Sequence, residues 1–341
     1  MRRHHRVACT TVVFCLLAAP VLAQAPVGGE KPLEPNQQSD VPPLEVGDRS
    51  LEFFSGTKLI LKPRLYWLDR DRDVKQDNVG FAVGGSFQYQ SGWAFDRLQL
   101  RATVFGSQIL YGPPEKDGTQ LFLPGPESFA VLGEANAVVR VTESSVLRAG
   151  RQLFEVPYLG SHDLRMVPNT FEAVAFGNTS HTGLGYIFAY VSRIKLKNSD
   201  EFIPMSQAAG VKDGTAGVSM AGTRYVSGGT EVVVLDQFTP GVFNTLFTKF
   251  EQTFTLANNR AVRAFVQYTD QRSVGQELID AFTTGLLAGK AEYSWGNTTL
   301  RLAASTTRDE KGIQKPYGNP SNYLSIIVED FDRAGEDAWP G

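Results

Sequence analysis

The chain has 341 residues, with 33 Lys+Arg against 36 Asp+Glu, a formal net charge of −3 and 11% aromatic residues. A mildly acidic chain has no electrostatic reason to bind nucleic acid. Its two cysteines, Cys9 and Cys15, fall in the first 23 residues, so the rest of the chain can form neither a disulfide nor a thiolate metal site.

The opening residues read as an export signal. Arg2, Arg3 and Arg6 precede an apolar run over residues 12–22, and Val21-Leu22-Ala23 before Gln24 is a small-residue cleavage site. The run is too short to span a bilayer, and no cysteine follows the cleavage point, which argues against a lipoprotein. Removing 1–23 takes away three arginines and no acid, leaving 30 basic against 36 acidic residues and a net charge of −6. Residues 24–50 carry Pro26, Pro32, Pro35, Pro42 and Pro43 among Gln, Glu and Asp, a composition that predicts a disordered leader.

Beyond the leader no apolar run reaches the ~18 residues that a membrane helix needs. Segments of ~10 to 15 residues with alternating polarity recur instead. Each is a weak signal of a transmembrane strand, and the repetition carries the argument. Residues 57–71 place Leu59, Leu61, Leu65 and Trp67 on one face, with Lys58, Lys62, Arg64 and Tyr66 on the other. Strands are expected at 81–92 and at 96–110, where Leu98, Leu100, Ala102 and Val104 oppose Arg97, Gln99, Arg101 and Thr103. Residues 134–152 read as two strands joined at Glu143-Ser144. Ala135, Ala137, Val139 and Val141 form an apolar face; Asn136, Val138, Arg140 and Arg148 form the other.

Residues 154–170 form a long segment with Pro157 and Pro168. A loop of that length is functional or disordered, and this one is expected to fold into a pore and narrow it. Further strands are expected at 171–178, 185–197, 216–226, 231–238, 243–256, 260–271, 284–295 and 298–308, about fourteen in all. Long connections (111–128, 198–213, 311–322) alternate with short ones (143–144, 227–229, 258–259, 295–297), as in an up-and-down barrel with short periplasmic turns and longer extracellular loops. Trp67, Trp93, Tyr111, Tyr186, Tyr225, Tyr268 and Trp295 lie at strand ends, where aromatic girdles meet membrane interfaces. The fold class predicted is all-β, a transmembrane antiparallel up-and-down barrel.

Opposite the apolar residues nearly every strand offers a cation: Arg64, Arg97, Arg101, Arg140, Arg148, Arg193, Lys195, Lys249, Arg263 and Arg301. A charge facing lipid at mid-depth costs ~2 to 4 kcal/mol, so these are expected to face a wet lumen. There they either draw anions into the channel or pair with lumen acids such as Glu134, Glu172, Glu251 and Glu292.

The chain resembles the OprD family of outer-membrane porins. TKLILKPRLYWLDRD (57–71) is similar to the family's first strand, and FQYQSG (87–92) to the end of its second. SSVLRAGRQ (144–152), followed by Pro157 and by HDLRMVPNTFEA (162–173), resembles the third-loop motif D-x-R-x-x-P-x-x-F-x-G, with Glu172-Ala173 standing where the family has glycine. DFDRAGEDAW (330–339) resembles a late family motif. The resemblance implies an 18-stranded monomeric, rather than trimeric, barrel in the outer membrane, surrounded by lipid and inserted by the barrel-assembly machinery. Inward loops and a ladder of arginines and lysines would select small solutes bearing carboxylates, such as amino acids or organic acids. Carried over by position, Asp163, Arg165 and Phe171 would lie on the constriction loop, with Arg140 and Arg148 on the adjacent wall. The chain ends at Gly341, just after the late motif, so a truncated product or an incomplete sequence is expected.

Other functions compete less well. After residues 1–23 only His162 and His181 remain as histidine bases; His181 follows Ser180 on a strand, where neighbours face opposite sides. Metal-ligand spacing and a phosphate-cradling glycine loop are missing from the sequence, so neither an enzyme nor a cofactor is expected. The alternatives are a non-channel barrel with a binding or structural role, and a truncated porin without function.

Overall fold

The computed structural model describes residues 52–71, 76–178, 182–308 and 311–318. Residues 1–23, 24–50, His181 and the 330–339 motif lie outside them. A one-turn helix, α1 (Glu52–Ser55), leads into strands β1 (Lys58–Arg70), β2 (Asn78–Gln90), β3 (Leu98–Tyr111), β4 (Phe129–Arg140) and β5 (Ser145–Gln152). A small hairpin follows, β6 (Glu155–Val156) and β7 (Leu159–Gly160). Next come β8 (Thr170–Asn178), β9 (Gly183–Lys195), β10 (Ile203–Pro204) and a second short helix, α2 (Met205–Ala208). The series closes with β11 (Val218–Ser227), β12 (Thr230–Thr239), β13 (Phe243–Leu256), β14 (Arg260–Ser273), β15 (Thr283–Trp295) and β16 (Thr298–Thr307).

Among the described residues fourteen strands form one antiparallel sheet, in sequence order from β1 to β16 with β10 pairing only with β9; β6 and β7 pair with each other. The described sheet ends at β1 and β16. Short turns collect along one rim. Ser227 pairs with Thr230 across Gly228-Gly229, both at positive φ, a two-residue turn whose twist matches the strands it joins. The opposite rim carries 112–128, 153–169, 196–217, 274–282 and 308–318, together with the brief connection 240–242.

Side-chain alternation sorts the residues into two faces. Leu59, Leu61, Leu65, Val83, Phe87, Val104, Val174, Phe188, Val266 and Leu287 are exposed on the outer face, as lipid-facing residues must be. Trp67 stacks with Tyr111 near the long-loop rim, while Tyr225 and Trp295 lie exposed near the short-turn rim. Two aromatic belts thus bracket the apolar band.

The inner face holds the core. One cluster joins Tyr158 and Leu159 of the inserted loop to Phe171, Val191, Ile194, Phe243, Phe247 and Tyr317. A second joins Met166 and Val167 to Ala82, Phe105, Phe129 and Leu121. Burying each such side chain stabilises by ~1.5 to 3 kcal/mol, which holds the loop against the wall rather than above it.

Two bulges depart from simple alternation. In β4 the register shifts opposite Thr103/Val104, at Gly133, where a Cβ would meet the Phe105 ring at 2.6 Å. The strand therefore continues back to Phe129, with Val131 inward and Leu132 outward, instead of starting at 134. In β9 the register shifts opposite Glu172/Ala173, so Val191 and Ile194 both point inward and the residues beyond Ser192 reverse their facing.

Candidate functional site

The loop of residues 153–169 folds into the concave side of the sheet and is tied to strands on both flanks. On one flank, Arg64 of β1 donates to both carboxylate oxygens of Asp163, Nη1 to Oδ1 at 2.6 Å and Nη2 to Oδ2 at 2.9 Å. It also donates to the carbonyls of Arg165 and Met166. On the other flank, the Tyr158 hydroxyl meets Thr269 Oγ1 of β14 at 2.9 Å, and Gln237 of β12 donates to the Pro157 carbonyl at 2.7 Å. Within the loop, Ser161 donates to Glu155, whose carboxyl is pushed above its usual range by burial. Arg165 Nε donates to the Thr119 carbonyl at 3.1 Å, linking this loop to residues 112–128.

A second inward segment, 311–318, was not foreseen from the sequence. Tyr317 is buried, stacks on Phe243 at 6.0 Å and shares a hydrogen bond with Thr239. Its carbonyl accepts from Gly160 N–H at 3.1 Å, and Gln314 exchanges hydrogen bonds with Gln271. The sequence signal is slight: one aromatic, Tyr317, between Pro316 and Gly318.

The loop tip carries a basic cluster. Lys197 Nζ lies 3.2 Å from His162 Nδ1. Burial lowers the His162 pKa to about 4, helped by the positive fields of Lys197, Arg165 and Lys315. Its imidazole is therefore neutral at pH 7 and accepts from the Lys197 ammonium. Burial and the Arg165 charge lower Lys197 to about 8, so it remains mostly charged at neutral pH.

The inner walls divide the cations into two classes. From β11 to β16 they form one continuous ion-pair chain. Arg224 pairs with Glu231 at 2.8 Å, Lys249 bridges Glu231 and Glu251 at 3.0 and 3.3 Å, and Arg263 joins Glu251 to Glu292 at 2.7 and 3.6 Å. Lys290 and Arg301 complete it at Glu292. From β3 to β5 the arrangement differs. Arg148 faces the charges of Arg101 and Glu134, and Glu134 accepts from Thr103. Arg101 Nε donates to Gln99 at 2.9 Å. Arg140 stacks on Trp93 at 4.2 Å and donates to the Asp96 carbonyl. Among the described residues Arg101, Arg140 and Arg148 make no salt bridge, and the Nε atoms of Arg140 and Arg148 are buried without a hydrogen-bond partner.

Several sequence expectations are corrected. Arg193 is on the outer face, because the β9 bulge reverses the alternation that put it beside Val191. Lys195 is fully buried, its ammonium capped by the Pro168 and Leu196 carbonyls at 2.8 and 3.0 Å; it anchors the loop base and lines no channel. Phe171 belongs to β8 and is fully buried against Phe154, so no solute reaches it. Glu172 points outward, in register with Arg151 and Arg193. Arg97 lies exposed in the turn before β3 rather than on the strand. Arg64, Arg101, Arg140, Arg148, Asp163, Arg165, Arg263 and Arg301 all lie on the inner side.

An antiparallel sheet with an apolar outer face, aromatic belts, a charged inner face and a loop folded inward defines a transmembrane β-barrel protein. The chain belongs to the OprD family: the family described as outer membrane porin, OprD family, matches residues 51–340. Its place is therefore the cell outer membrane, and its class is a substrate-specific channel rather than an enzyme. No curated protein matches the chain. Among solved structures, OccAB2 of Acinetobacter baumannii is similar with a TM-score of 0.70 at 14% identity, covering 82% of this chain and 73% of that one. OpdK of Pseudomonas aeruginosa, solved with vanillate, is similar with a TM-score of 0.66 at 19% identity, covering 77% and 70%. OccK9 (OpdG) of Pseudomonas aeruginosa gives 0.66 at 18% identity, covering 76% and 70%. These likenesses establish a shared fold.

Proposed function

We propose that the channel passes small carboxylates, guided along the inner wall by Arg101, Arg148 and Arg140 past the loop tip, where Lys197 of the 196–217 connection joins Arg165. The observation that carries this reading is the division of the inner face. Cations on the β11–β16 wall are neutralised by neighbouring acids, while those on the β3–β5 wall form no ion pair among the described residues. A passing carboxylate is drawn by this uncompensated charge; Arg140 and Arg148 are themselves largely buried and act through their field rather than by direct contact. Vanillate, present in the similar OpdK structure, belongs to this chemical class. Residues 1–23 act as the export signal and 24–50 as a spacer.

The test is a charge reversal. Arg140→Glu with Arg148→Glu should move the reversal potential under a salt gradient toward cation preference and weaken block by added carboxylate. An unchanged reversal potential overturns the proposal. A second reading, a barrel with a binding or structural role, is favoured by the seventeen-residue buried cluster on the inner face. Planar-bilayer recordings separate the two: stable conductance steps support the channel, and silence supports the second reading.

A further inference from the structure

Near the long-loop rim, among the described residues, four arginines stand on the outer wall, where lipid-facing residues belong, and they stand in two matching groups. The first is a single register row across three strands. Arg151 of β5 pairs with Glu172 of β8, which pairs with Arg193 of β9. Arg151 Nε lies 3.1 Å from Glu172 Oε1, and Arg193 Nε lies 3.9 Å from Oε2. Arg151 also stacks on Phe202 at 4.3 Å and donates to the Leu132 carbonyl.

The second group lies on β14–β16. Asp270 takes Arg272 Nη2 at 2.5 Å on one oxygen and Arg308 Nη2 at 3.4 Å on the other. Arg308 reaches Asp270 across Gly285, which pairs with Asp270 and would otherwise place a side chain between them: a Cβ there would sit 3.4 Å from Arg308 Nε. The Tyr268 hydroxyl donates to Asp270 and accepts from Arg308.

Both groups have the same stoichiometry and the same position. Each sets two guanidiniums around one carboxylate, which leaves a surplus positive charge within the group; beside the second, Asp236, which accepts from the Asn244 opposite Arg272, is the next acid along the outer wall. Each lies near the long-loop rim, directly above exposed apolar residues: Val174 and Tyr190 below the first, Val266 and Leu287 below the second. Both carboxylate oxygens are engaged in each group, yet a guanidinium has five N–H donors and most remain unspent. Arg193 and Arg272 keep more than half of their side-chain surface exposed. A pair of ions alone would need only one arginine per acid.

Longer loops of such barrels face outward from the cell, so this rim meets the outer leaflet. We infer that the two outer arginine groups dock phosphate-bearing lipids of the outer leaflet, one at Arg151/Arg193 and one at Arg272/Arg308. The acyl chains lie on the apolar band below, and the phosphate takes a bidentate hold on the guanidiniums. Glu172 and Asp270 orient the arginines for this contact and keep them extended along the wall.

The test uses the full chain in detergent, titrated with a hexa-acylated glucosamine disaccharide carrying two phosphates and, separately, with its phosphate-free form. Retained lipid is read by native mass spectrometry. Wild type should retain the phosphorylated lipid selectively. Arg193→Gln and Arg308→Gln should each weaken one site about fivefold, and together both sites, as expected for loss of one cation per site. The charge-conserving pair Arg193→Lys and Arg308→Lys should hold most of the binding, which separates lost docking from lost folding. Equal retention of the phosphate-free lipid, or full retention by the double Gln variant, overturns the inference.

Discussion

Arg64→Ala tests whether the loop is held in place by one side chain at its tip. The substitution removes two hydrogen bonds to Asp163 and those to the Arg165 and Met166 carbonyls. The ion pair is only partly shielded, with 34% and 43% of the two side chains exposed. Its worth is therefore close to that of a surface pair, ~0.2 to 1 kcal/mol. The carbonyl contacts add about 1 kcal/mol. A sum of ~1.5 kcal/mol multiplies the population of tip-released states about tenfold. The far anchors at Tyr158, Gln237 and Lys195 are untouched, so only the tip around 162–166 is freed. In single-channel recordings the variant should show larger and noisier open currents than wild type. Trypsin should also cleave after Arg165 about ten times faster at equal folded fraction. Identical current noise and identical cleavage would refute the clamp. Asp163→Asn should give a weaker form of the same phenotype, since the carbonyl acceptors persist.

Two further outcomes follow from the interior. The folded His162 pKa of about 4 lies below the ordinary 6.5, so between these values the unfolded chain binds a proton that the folded chain refuses. Its contribution to stability is fully present above pH 6.5 and is lost as pH falls toward 4; a chemical-denaturation series across that window should show the decline, and His162→Gln should flatten it. Tyr317→Ala should cost ~3 to 5 kcal/mol through the cavity it leaves between Phe243 and Thr239, read as a lower temperature for loss of heat-modifiable gel migration; an unchanged temperature would mean that the segment 311–318 is not seated.

Strand-by-strand alternation was legible because lipid on one side and water on the other impose a period of two on every span. The inward loop was legible from its length and prolines. Arg193 and Lys195 were misread for a local reason: one extra residue at Ser192 reverses the facing of all that follows it in β9, and nothing in VSRIK marks the insertion. Gly133 is the better-signposted bulge, since a glycine inside a strand pattern often marks one. Phe171 was carried into the channel by a motif, whereas packing against Phe154 keeps it in the core. The pairing of the β11–β16 cations could not be read either, because it joins strands whose relative register the sequence leaves open. Lys197 and Lys315 came to the loop tip from two other loops, a convergence that only the fold creates.

The return of residues 311–318 to the interior has a temporal consequence. Gly160 in the loop is bonded to Tyr317, and Gln271 to Gln314, partners far apart along the chain. Contacts of such long sequence separation form late, after the loss of chain freedom in bringing them together has been met by the hairpins between. The earlier loop thus waits, incompletely seated, until the last described strand has been laid down. A chain interrupted before Tyr317 would carry a wall without its lock.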